Sequence, residues 1–176
     1  MTKRSGPTLP RWSRSERESR CGAVESREWI GLSRELVPAD VCGGRELGSR
    51  YLHEVGHFSR GLVTSRAERN GVAFLLAGIV PLLRFGAAEV SVTDGRVECR
   101  YPIVGGLLVA RPGGSLWIIQ SPSFELELTV EGYFPRLGGS MRRRSFRRAL
   151  YTALQVRAHR AVGRRFLERA ATETNL

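Results

Sequence analysis

The sequence predicts an α+β domain: an antiparallel β-meander of about four to five strands packed on a long C-terminal helix, with a largely disordered or loosely helical N-terminal extension. Three observations carry this. Val90 and Val92 alternate with Ser91 and Thr93, Asp94-Gly95 follows, and Val97, Cys99 and Tyr101 then alternate with Arg96, Glu98 and Arg100. Two period-two runs flanking Asp-Gly are a hairpin signature. Phe124, Leu126, Leu128 and Val130 alternate with Glu125, Glu127, Thr129 and Glu131, as in a strand with one dry and one wet face. After Gly138-Gly139-Ser140, the residues Phe146, Leu150, Ala153, Leu154, Ala161, Val162 and Leu167 recur at helical spacing, to about Ala171.

The remaining elements follow in chain order. Residues 1–27 are rich in Ser, Arg, Gly and Pro, with Trp12 as the one large apolar anchor, and read as disordered because they bury too little to offset chain entropy. Ser33 to Val37 and Arg45 to Phe58 suggest short helices, interrupted by Pro38 and Gly43-Gly44. Val72 to Leu83 is a continuous apolar run, expected as one buried helix or strand. Pro102 and Gly105-Gly106 bend the strand after the hairpin, Pro112-Gly113-Gly114 makes the next turn, and Leu116 to Gln120 continues the sheet. The chain therefore divides into a basic, poorly structured extension over 1–63 and an α+β domain over 64–176.

Composition limits the function. The 176 residues carry Lys+Arg 28 against Asp+Glu 17, a net charge of +11, and Lys3 is the only lysine. Residues 140–176 hold ten basic and two acidic side chains, so the excess lies at the C-terminal end. No run approaches the roughly 18–20 apolar residues of a membrane span, and a cytoplasmic location, peripheral to a membrane, is expected. Three cysteines, Cys21, Cys42 and Cys99, make no disulfide framework and no CxxC zinc site. There is no G-x-S-x-G, P-loop or G-x-G-x-x-G sequence.

One motif could carry chemistry. His53-Glu54-Val55-Gly56-His57 fits H-E-x-x-H and resembles the active-site helix of zinc metallopeptidases. The resemblance implies that His53 and His57 bind zinc through imidazole nitrogens one helical turn apart, with Glu54 as general base on the metal-bound water. Arg60 and Val63 stand where the extended form of the motif has its glycine and third histidine. A structural zinc site using Cys42 with the two histidines is a further alternative. No cofactor is expected beyond the zinc that this motif would take.

The C-terminal helix suggests a different role. Arg142, Arg143, Arg144, Arg147 and Arg148 cluster at its start, against the helix macrodipole. Such a cluster is kept for an anionic partner: lipid headgroups, or the phosphates of nucleic acid. The order of elements from Ala87 onward is also similar to the second half of START-like lipid-binding domains, in which a curved sheet wraps a C-terminal helix around an apolar cavity. On that resemblance Trp117, Phe124, Leu126, Leu128 and Tyr133 would line a ligand pocket. The leading expectation is thus a non-enzymatic domain binding an apolar small molecule or an anionic membrane surface. A zinc hydrolase using His53, Glu54 and His57 is the alternative, and nucleic-acid binding through the arginine cluster the second.

Overall fold

The computed structural model describes residues 12–19, 22–135 and 146–175, with the backbone alone for 146–159. Nine strands and two helices follow in the order β1 (Ser13–Glu18), β2 (Val24–Gly31), α1 (Val41–Phe58), β3 (Val63–Glu68), β4 (Gly71–Leu76), β5 (Val80–Gly86), β6 (Glu89–Thr93), β7 (Arg96–Gly105), β8 (Ser115–Gln120), β9 (Glu125–Tyr133) and α2 (Phe146–Thr174). All pairings are antiparallel, in the order β1-β2-β9-β8-β7-β5-β4-β3, with β6 also on β7.

This corrects the sequence-based architecture in three respects. The sheet has nine strands, not four to five. The described residues of the N-terminal region are not a disordered or loosely helical extension: they supply two strands and α1, and β2 pairs with β9 from Val24↔Tyr133 to Gly31↔Glu125. Nor is the sheet capped by one long C-terminal helix. Two helices share that work, and the buried side chains described on α2 begin only at Val162. The run from Val72 to Leu83 is likewise not one element. Ala77 and Gly78 adopt φ of 50° and 72°, which folds it into the β4–β5 hairpin.

β7 organises the sheet. Along one edge it pairs with β8; along the other it pairs first with β6, over Arg96–Arg100, and then with β5, at Ile103 and Gly105. Pro102, which has no N–H to donate, sits at this change of partner. Its inward residues Val97, Cys99, Tyr101 and Ile103 are buried, as are Leu126, Leu128 and Val130 of β9. Phe74, Phe85 and Tyr101 stack edge-to-face across the β4–β5–β7 region, with centroids 5.3 and 6.0 Å apart.

The helices cover this apolar face. Asp40 caps α1 by accepting a 2.7 Å hydrogen bond from the Gly43 N–H. Leu47, Tyr51 and Val55 form the buried stripe of α1. Gly48 lets the helix sit close to the sheet, for a Cβ there would stand 2.4 Å from the Tyr101 hydroxyl. On α2, Val162, Phe166, Leu167, Ala170 and Ala171 are buried, and Phe166 meets Tyr51 edge-on at 5.5 Å. Full burial of side chains such as Phe166 and Leu167 contributes about 1.5–3 kcal/mol each.

Candidate functional site

The H-E-V-G-H segment occupies the last turns of α1, and the helix register sorts its residues. Glu54 lies seven residues after Leu47 and three after Tyr51, within the buried stripe, whereas His53 and His57 are exposed. The two imidazoles are neighbours, with centroids 4.7 Å apart and planes inclined by 60°. Glu54 is 3% exposed. Its Oε2 accepts a 3.1 Å hydrogen bond from Arg169, and Arg165 Nε stands 2.9 Å from Oε1, without hydrogen-bond geometry.

These residues do not supply what zinc hydrolysis needs. A general base must reach a metal-bound water, and Glu54 instead faces α2 and is held by two guanidinium groups. Among the described residues no group of three His, Cys, Asp or Glu side chains is placed to hold a metal. Cys42 lies eleven residues before His53 on the same helix, about 16 Å along its axis at 1.5 Å per residue, too far to share an ion. A cleft of about 130 Å³ does open beside the motif, lined by Leu36, Arg50, His53, Glu54, Phe166 and Arg169 among others. Its charges are internally matched, Arg50 by Glu46 and Glu173, and Arg169 by Glu54.

The five residues read as lining an apolar pocket do not converge. Leu126 and Leu128 are buried inside the sheet. Tyr133 is half-buried and its hydroxyl donates to the Leu108 carbonyl at 2.7 Å. Trp117 alternates with the buried Leu116 and Ile118 and points to the opposite face. There its Nε1 donates to Glu131 at 2.9 Å and Arg100 lies 5.2 Å over its ring. Phe124 is 41% exposed at the β8–β9 turn, with φ of 59°.

Of the basic residues expected to meet an anionic partner, Arg142, Arg143 and Arg144 lie outside the described residues, as do the side chains of Arg147 and Arg148. Further along α2 the four arginines whose side chains are described have partners within the fold. Arg160 pairs with Glu16, Arg164 with Glu168, and Arg165 and Arg169 with Glu54.

Sequence reasoning missed an apolar end of the molecule. Leu62, Ile79, Val80 and Leu107 are exposed there, Ile79 by 81%. Backbone hydrogen bonds tie their segments together: Ala77 N–H to the Leu62 carbonyl at 2.8 Å, and Leu107 N–H to the Pro81 carbonyl at 2.9 Å. The same loop after β7 holds the end of β9, for Ala110 N–H donates to the Phe134 carbonyl at 2.8 Å and Val109 bridges Pro135. Arg111 lies 3.7 Å over the Phe134 ring. The chain therefore leaves β9, towards its arginine-rich segment, from the loop that carries Leu107. The sequence signal was Ala77-Gly78 inside the apolar run, a turn dipeptide that leaves Ile79 at a hairpin tip.

Compared with protein-family models, characterised proteins and solved structures, the chain matches none. Among the described residues no helix is long and apolar enough to cross a membrane.

Proposed function

We propose that this chain is a non-enzymatic module that docks on anionic membrane surfaces. One observation carries the reading: the exposed apolar end at Leu62, Ile79, Val80 and Leu107 adjoins the point where the chain departs into its most basic stretch. Between Glu131 and Glu168 the sequence has ten arginines and no acidic residue, and of the ten Arg160, Arg164 and Arg165 are paired within the fold. Apolar side chains enter the boundary between headgroups and acyl chains, while guanidinium groups engage lipid phosphate. Burying a Leu or Ile side chain contributes about 1.5–3 kcal/mol and each basic residue near an anionic surface about 1 kcal/mol. A few of each suffice for reversible attachment. The apolar-ligand reading has less support, because Trp117 and Phe124 do not face the interior with Leu126, Leu128 and Tyr133.

Sedimentation with vesicles tests the proposal. The protein should pellet with phosphatidylcholine vesicles containing phosphatidylserine, remain in solution with phosphatidylcholine alone, and detach as salt rises. Ile79→Asp with Leu107→Asp should abolish pelleting without moving Tm, since both side chains are exposed. Replacing Arg142, Arg143 and Arg144 by Ser should weaken it. Pelleting that ignores both sets of changes overturns the reading. So does tight, salt-sensitive binding to RNA with no vesicle binding at all, which would favour nucleic acid instead.

A further inference from the structure

The geometry points to a two-histidine clasp for a divalent transition metal on the exposed face of α1, formed by His53 and His57 and distinct from a zinc-hydrolase centre. Residues four apart on a helix face one another, and these two rings are neighbours at a centroid distance of 4.7 Å. A single ion bonded to both imidazoles at about 2.0–2.1 Å needs two neighbouring rings, and centroids 4.7 Å apart meet that need. Imidazole donors suit Ni(II), Cu(II) and Zn(II), and the affinity order of divalent metals rises from Ni(II) to Cu(II).

Two features of the surroundings agree. The ion would sit at the C-terminal end of α1, where His57 lies in the last turn and the macrodipole favours positive charge. Two of the cations beside His53 are paired within the fold: Arg50 with Glu46 and Glu173, and Arg169 with Glu54. Glu54 itself faces away, so it is not a ligand, and the remaining coordination positions open to water. The clasp stands on α1 alone and does not depend on the membrane proposal.

The test is calorimetric titration of the full-length chain with NiCl2. One nickel per chain should bind, and the metal should raise Tm progressively with its free concentration. His53→Gln and His57→Gln should each weaken binding by at least about tenfold, the lower end of the roughly 10–100-fold loss typical for an outer-shell partner. Both positions are exposed, so these variants should keep the native far-UV circular dichroism. Cys42→Ser should bind as the parent does. Absence of binding, binding that survives the double histidine change, or binding lost with Cys42→Ser would each overturn the clasp.

Discussion

The Oε2 atom of Glu28 lies 2.7 Å from the point that a Cβ on Gly163 would occupy. The absence of a side chain on α2 makes room for a carboxyl on β2 that is only 4% exposed, and that Oε2 has no hydrogen-bond partner among the described residues. Burial pushes the Glu28 carboxyl above the ordinary range, against the opposing pull of Arg14 and Arg160. A group whose folded-state value is raised binds its proton more tightly in the fold. Its stabilisation is present below the ordinary carboxylate value and is lost as pH rises through the raised one. Glu28→Gln should therefore stabilise the protein at pH 8 relative to the parent, with the gain shrinking towards pH 4. A Tm difference independent of pH would refute this.

The close approach of α1 to β7 gives a second prediction. A Cβ on Gly48 would meet the Tyr101 hydroxyl at 2.4 Å and the Cys99 sulfur at 2.8 Å. Gly48→Ala should cost about 1–3 kcal/mol, the usual result of overpacking. Removing the hydroxyl with Tyr101→Phe should relieve part of that clash. The double variant should then lose less than the two single variants together, as measured by urea denaturation.

The clamp between the helices is asymmetric. Glu54 is buried, whereas the side chains of Arg165 and Arg169 are 53% and 59% exposed. Removing both arginines strands a buried carboxylate and should cost about 3 kcal/mol. Glu54→Gln leaves two guanidinium groups that water can solvate, and should cost about 1 kcal/mol. Equal losses in chemical denaturation would show that Glu54 is solvated when unpaired.

Phe124 is a bulky residue in the left-handed region, with φ of 59°. Its ring is partly exposed, so little packing compensates. Phe124→Asn should raise stability by about 1 kcal/mol, within the known cost of that conformation for an ordinary residue. A fall in Tm would mean that the ring's contacts outweigh the strain.

Where one face is wet and the other dry, the sequence was legible. β7 and β9 show it, and their inward residues are those that alternation selects. β1 and β2 were not legible. Ser13–Glu18 carries no apolar residue, and its order comes from backbone pairing with β2, which leaves no hydropathy signal. In β2 an inward glutamate, Glu28, precedes Ile30 and breaks the period. For H-E-V-G-H, spacing alone placed the histidines side by side. The fate of Glu54 depended on the stripe of Leu47, Tyr51 and Val55, which the motif drew attention away from.

The long reach between β2 and β9 also affects how the chain is made. Arg27 pairs with Glu127, a hundred positions later. A ribosome releases residues in order, so β2 can pair with β1 early, whereas its other edge stays open until β9 emerges. The loop between them must close against chain entropy before any β2–β9 contact is gained, which makes this pairing a late and slow step. During synthesis the edge of β2 that receives β9 therefore waits for the last strand of the sheet, with the charges of Glu25, Arg27 and Glu28 on that strand to discourage other pairings.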